Sequence, residues 1–169
     1  MIVIRQAEIE DMPAVHDLAY QIWPSAYGEI LSKAQLDYML DKIYSLTSLE
    51  HQFHVLKHNF IIVSDDEIPV GFAAYSPHEN ADVYHLNKIY LLNGQQGKNL
   101  GKKMLNYIIE EIKKSGAKAL QLNVNRYNSA VHFYEKQGFK IIREEDIDIG
   151  EGFFMNDYVM ELKLEFFKF

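Results

Sequence analysis

From Val83 to Ile109 the chain carries no Asp or Glu, although it holds 24 acidic residues against 17 Lys and Arg. The middle of that stretch reads Asn93-Gly94-Gln95-Gln96-Gly97-Lys98-Asn99-Leu100-Gly101-Lys102-Lys103 and joins an apolar run to an amphipathic helical pattern. The fold is constrained by this: a strand must end at a glycine-rich turn and pass straight into a helix. Helix starts carry partial positive charge and unpaired N–H groups, so acids normally gather there. Lysines and glycines stand there instead. That placement does not help an empty helix, but an anion bound at the turn, above all a phosphate, explains it. The stretch therefore points to a ligand of nucleotide type. The blander alternative is a tight strand-to-helix turn with solvated lysines.

Periodicity on either side gives an α+β order. Ile2 to Arg5 reads as a strand, and Asp11-Met12-Pro13 opens a helix with Met12, Val15, Leu18, Ala19 and Ile22 on one face. Trp23-Pro24-Ser25-Ala26-Tyr27-Gly28 is expected to break that helix. Ser32 is positioned to cap a second helix with Leu36, Met39, Leu40 and Ile43 inward, and Thr47 to His58 reads as a third. Phe60 to Ser64 and Val70 to Tyr75 form a predicted hairpin around Asp65-Asp66-Glu67, and Val83 to Leu92 is a longer strand. After the turn comes a helix with Leu100, Met104, Leu105, Ile108, Ile109 and Ile112 inward, ended by Ser115-Gly116. A strand at Ala119 to Val124 and a short helix at Ser129 to Gln137, stopped by Gly138, precede two final strands near Lys140 to Ile149 and Phe154 to Leu164. With no repeat, low-complexity tract or linker, residues 1–169 read as a single α+β domain with a mixed sheet.

Composition narrows the function classes. A chain of 169 residues, 48% hydrophobic and 24% charged, has the size and balance of a soluble protein with a real core. The absence of cysteine removes disulfides, thiolate metal sites and a cysteine nucleophile. Met1 to Arg5 is too short for a signal peptide and no stretch approaches membrane-spanning length, so a cytoplasmic protein without a membrane partner is expected. A net charge of −7 argues against nucleic-acid binding. It suits a cationic small substrate, though acidic solubility explains it equally simply.

Three readings of the turn compete. A P-loop needs Ser or Thr after Gly-Lys, and Lys103 follows Gly101-Lys102 here. A dinucleotide fold begins with its glycine turn, whereas this one comes late. The third reading rests on likeness. Gln96-Gly97-Lys98-Asn99-Leu100-Gly101 resembles the Q/R-x-x-G-x-G/A signature of the GNAT (Gcn5-related) N-acetyltransferases. A second stretch, Asn128 to Phe139, resembles the family's N-x-x-A-x-x-F-Y-x-x-x-G-F pattern. One departure is Asn99, where the family usually has glycine. Asparagine tolerates the left-handed backbone region better than most residues, so the turn is expected to survive.

The resemblance implies a GNAT-like sheet of about seven strands, mostly antiparallel and flanked by helices. It implies acetyl-CoA as cofactor, with CoA as product, held by Gln96, Gly97, Lys98, Asn99, Leu100, Gly101 and Lys102 at the diphosphate. Backbone N–H groups of Ile89, Tyr90 and Leu91 would face the pantetheine arm and thioester oxygen. Tyr134 takes the position of the general acid and also of a cofactor contact, against the plain alternative of a core aromatic. Asn128 would touch the cofactor arm or cap the next helix. The base is open: Asn87 stands near where many relatives carry Glu, and His85, two residues earlier on the same strand face, titrates near neutrality. A water relay or Tyr90 are alternatives.

For the acceptor, the resemblance implies a small-molecule primary amine, with an aromatic wall of Trp23, Pro24, Tyr27 and Tyr38, and with Asn87 in contact. Glu144, Asp146 and Asp148 alternate on one strand face, either as a solvated guarded edge or as an acidic rim attracting a polyamine. The overall pattern is similar to bacterial polyamine acetyltransferases. The competing classes are an acyl-CoA sensor with little catalysis, an enzyme acting on protein or peptide amines, and an interaction protein docking through Phe166-Phe167-Lys168-Phe169. A homodimer through the last strand is left open by the sequence.

Overall fold

The computed structural model describes residues 1–95 and 98–164. Among the described residues seven strands form one sheet in the order β1-β2-β3-β4-β5-β7-β6. Its strands are β1 (Ile2–Gln6), β2 (Asn59–Asp65), β3 (Ile68–Pro77), β4 (Val83–Leu91), β5 (Ala119–Asn125), β6 (Lys140–Gly150) and β7 (Phe153–Lys163). Among the described residues five α-helices accompany it: α1 (Met12–Tyr27), α2 (Lys33–Tyr44), α3 (Leu46–His54), α4 (Leu100–Lys114) and α5 (Ala130–Lys136). This is the expected α+β class with a mixed, mostly antiparallel sheet. The chain divides into two compact units, one of Met1–Ser76 with Lys88–Tyr107, the other of Pro77–Asn87 with the residues from Ile108 onward.

In the first unit, Arg5 grips Asp11 with both guanidinium ends at 2.8 Å, and Asp11 also accepts the Glu8 N–H at 2.7 Å. That knot fixes the entry to α1. The helix then buries Met12, Val15, Leu18, Ala19 and Ile22 as its spacing predicts. The expected break at Pro24 does not occur. Pro24 has no N–H to give and leaves one helical bond unmade, yet the helix runs on to Tyr27, and the Gly28 N–H closes on the Pro24 carbonyl at 3.0 Å. Trp23 and Tyr27, 3% and 5% exposed, lie on the inward face. Their burial outweighs the local defect.

The Ser32 hydroxyl caps α2 by accepting the Gln35 N–H at 3.1 Å, and Ser45 caps α3 from Ser48 at 3.2 Å. α3 stops at His54, short of the expected His58. The β2–β3 hairpin turns through Asp66 and Glu67, both left-handed at φ 48° and 71°, a geometry that matches strand twist. β1 pairs antiparallel with β2 from Ile2↔Asp65 to Gln6↔Ile61. β3 lies so close to β4 that a Cβ at Gly71 would meet the Tyr90 carbonyl oxygen at 2.8 Å. Phe60, Ile61, Ile62, Val63 and Phe72 are almost fully buried and form the core here, with Leu100, Met104 and Leu105.

In the second unit, β4 and β5 run parallel from Val83↔Ala119 to Leu86↔Leu122. β7 lies antiparallel to β5, from Ala119↔Lys163 to Asn125↔Asp157, and β6 pairs antiparallel outside β7. Ile108, Ile112, Leu120, Leu122 and Met160 fill this core. Alternation then fixes the opposite sheet face as polar: His85 opposes Gln121, Asn125 opposes Asp157, and Asp157 opposes Glu145.

Candidate active site

Asn99 sits at φ 55°, left-handed, and its carbonyl accepts the Lys103 N–H at 3.0 Å to start α4. Buried Leu100 anchors that start from below. The first turn of α4 holds no acid, and its last turn carries Lys113 and Lys114. Lys98 is tied to Asp65 at 3.1 Å and to Gln95 at 3.2 Å. That bond, with a second from the amino terminus, holds the Asp65 carboxyl below its ordinary value. Lys102 and Lys103 stay exposed, and among the described residues no ion pair holds either. Gln96 and Gly97 lie outside the described residues.

Further back on β4, Ile89, Tyr90 and Leu91 are partly exposed. The Tyr90 hydroxyl meets that of Tyr27 at 2.8 Å, and its ring packs against Trp23 and Phe72 at 5.8 Å each. Trp23 and Tyr27 thus pack with Tyr90 in one aromatic cluster, in which Trp23 and Tyr27 are buried and Tyr90 is partly exposed. Tyr38 is partly exposed under the Lys42 ammonium, 5.5 Å from its ring centre.

Sequence reasoning missed Lys88. It is 8% exposed, with its ammonium 5.6 Å from the Tyr44 ring centre and 5.9 Å from that of Phe60. Burial lowers its pKa to about 8. His58 is lowered to about 4, first by its own burial and then by the Lys88 charge. The available signal was strand alternation, which puts Lys88 on the same face as buried Leu86.

In the second unit, Tyr134 is 7% exposed between the rings of Phe133 and Phe139, at 5.4 and 5.6 Å. Asn128 accepts the Ala130 N–H at 2.9 Å, so its oxygen caps α5. Gly138 at φ 100° terminates that helix, and the Phe139 N–H returns to the Tyr134 carbonyl at 3.0 Å. His85 faces the His78 ring at 5.4 Å, and Asn87 lies two residues along the strand.

The acidic residues divide into two groups. Arg126 takes Glu144 at 3.4 Å and Asp146 at 2.5 Å, while Asp148 accepts the Gly150 N–H at 2.9 Å. These exposed carboxylates form a solvated strand face and not an open acidic rim. On the other sheet face, Asn123 donates to Asp157 at 3.3 Å, and Gln121 donates to Glu161 at 2.7 Å. Glu145 is held below its ordinary value mainly by Arg143 at 2.7 Å, with help from Asn123 and His85. Asp157, only 5% exposed, is raised by burial; Asn123 opposes that shift, and the Glu145 charge adds to it. Its Oδ1 atom has no hydrogen-bond partner among the described residues. Nothing in the sequence pattern marked this carboxylate beyond its place in the final strand.

An acid-free turn into a long helix, a parallel β4–β5 pair and an Asn-led α5 carrying Tyr134 together describe an acyl-transfer scaffold. Residues 29–162 match the family described as acetyltransferase (GNAT) domain, and the chain belongs to that family. Over 169 aligned residues it is 29% identical to the spermidine N(1)-acetyltransferase of Thermoplasma acidophilum, covering 97% of this chain and 98% of that one. It is similar, at TM-score 0.81 and 28% identity, to the crystal structure of PaiA N-acetyltransferase from Thermoplasma acidophilum in complex with coenzyme A, covering 97% and 99%. The structure of YncA, a putative acetyltransferase from Salmonella typhimurium with its cofactor acetyl-CoA, shares the fold at TM-score 0.67 and 16% identity, over 99% and 96%. Among the described residues no helix is long and apolar enough to cross a membrane.

Proposed function

We propose that the chain is a single N-acetyltransferase domain that moves an acetyl group from acetyl-CoA directly to a primary amine of a small molecule, a polyamine being the favoured class. The observation that carries this reading is the left-handed Asn99 at the head of an acid-free α4, inside a motif of the family. Such a turn offers N–H groups and the positive helix end to a diphosphate. Exposed Lys102 adds charge, while Lys98, occupied by Asp65, shapes the turn. We assign the diphosphate to residues 96–102 and the pantetheine arm to Ile89, Tyr90 and Leu91. Bound acetyl-CoA supplies an activated thioester carbonyl.

The chain's own groups do the rest. Backbone N–H donors of β4 polarise the carbonyl. Tyr134 gives its hydroxyl proton to the departing sulfur, and Phe133 and Phe139 hold its ring in place. Asn128 uses its oxygen on α5, which leaves its amide N–H groups for the cofactor arm. His85, directly or through water, takes the proton that the amine must lose. Asn87 contacts the acceptor but cannot take that proton. The spermidine activity of the Thermoplasma relative favours a polyamine acceptor.

Tyr134→Phe is expected to lower kcat by about 100-fold or more while leaving the KM for acetyl-CoA little changed. The measurement is thiol release from acetyl-CoA over a pH series; unaltered turnover at every pH removes Tyr134 from the acid role. Asn87, near where the family resemblance implies Glu in many relatives, favours one second reading, an acyl-CoA sensor. CoA binding without thiol release across an amine panel would select it.

A further inference from the structure

The polar face of the second unit holds a carboxylate that the reaction does not account for. Asp157 is 5% exposed, and its Oδ2 accepts from Asn123 at 3.3 Å while its Oδ1 accepts from none of the described residues. A buried acceptor without a donor is costly, more so when charged. Of the neighbouring cations, the Arg126 charge offsets this only in part, its two terminal nitrogens being engaged by Glu144 and Asp146, and Arg143 gives its Nε to Glu145. Glu145 stands opposite Asp157 in the β6–β7 ladder and adds a second negative charge. A neutral donor such as water would satisfy the bond but not the charge. A ligand ammonium satisfies both.

We propose that Asp157, with Asn123 and Glu145 beside it, seats a second ammonium group of the acceptor, so that the substrate carries at least two amines. This deepens the amine-acetylation reading above and rests on it. A nitrogen held against two carboxylates keeps its proton and has no free lone pair. It is therefore not the nitrogen that becomes acetylated. Asp157 Oδ1 accepts its N–H, and the free amine at the other end of the molecule is the nucleophile. The subsite thus selects diamines and polyamines over monoamines of the same length, and it does so by binding.

The test compares hexamethylenediamine with hexylamine as acceptors for the full chain with acetyl-CoA, and measures calorimetric binding of hexamethylenediamine alone. The wild-type protein is expected to favour the diamine in kcat/KM by about 10- to 100-fold, chiefly through KM. Asp157→Asn, which keeps the shape and the bond to Asn123, should bring that ratio close to one. It should also raise thermal stability without ligand, because an unsatisfied buried charge is removed; a purely structural aspartate would do the reverse. Glu145→Gln should reduce the preference by a smaller factor and serves if Asp157→Asn fails to fold. A wild-type protein with no diamine preference overturns the proposal, as does a preference that both variants keep. If no amine is turned over, yet diamine binding is present and lost in Asp157→Asn, the subsite stands and acetyl transfer falls.

Discussion

Lys88 shows how one side chain sets the properties of its neighbours. Its ammonium lies against the faces of Tyr44 and Phe60 in a buried site, and its pKa is lowered from 10.5 to about 8. The unfolded chain therefore holds this proton more tightly than the folded one. Stability rises as pH climbs from about 8 to 10.5, and below 8 the folded state carries the full cost of the charge. That cost is of order 3 kcal/mol. Lys88→Met is expected to stabilise the protein at neutral pH, by less than this because the ring contacts are lost, with the gain fading between about pH 8 and 10.5. The same change should raise the His58 pKa from about 4, since Lys88 repulsion is the second cause after burial. Proton NMR titration of His58 in the variant is the check; an unmoved midpoint would assign the shift to burial alone. Lysine in a strand is normally a surface residue whose head reaches water; alternation with Leu86 put this one on the inward face, but its burial against Tyr44 and Phe60 depends on tertiary packing that no local pattern shows. Asp157 was hidden for the same reason.

At the level of elements, local chemistry was readable wherever it acts locally. The Ser32 cap, the Gly138 stop and the left-handed Asn99 follow from side-chain preference, and all three are observed. The passage of α1 through Pro24 was not readable, because the burial of Trp23 and Tyr27 that sustains it is a tertiary effect. The same burial takes Trp23 and Tyr27 of the expected aromatic wall inward, where they pack against the partly exposed Tyr90. The Asn99 turn offers a direct test. Asn99→Gly removes the left-handed penalty and should bind CoA as tightly as the wild type or more so. Asn99→Val must strain the turn by about 1–2 kcal/mol, and CoA affinity is expected to fall about tenfold. Isothermal calorimetry with CoA decides: equal affinity in all three proteins would move the diphosphate away from this turn.

At the scale of the whole molecule, strand and helix order and the family were legible because the two motifs bracket a helix and a strand, at Gln96–Gly101 and Asn128–Phe139. The polar sheet face of the second unit was not, since it assembles from β4, β5, β6 and β7, which are far apart in the chain. The parallel seam between β4 and β5 also bears on how the protein reaches its native state. The β2–β3 and β6–β7 hairpins zip from adjacent residues, whereas Val83–Leu86 can meet Ala119–Leu122 only after the crossover containing α4 has closed. Distant pairing of that kind is slow and dominates the barrier. In stopped-flow refolding, Leu122→Ala should retard folding, whereas Val63→Ala in the hairpin should appear mainly as faster unfolding. The opposite pattern would mean that the seam closes after the barrier. With the seam as the late gate, a newly made chain passes through a period in which its hairpins are ready but the parallel β4–β5 contact is missing. During that interval the β4 and β5 edges are open to pairing with other chains, which makes the time to closure the determinant of yield.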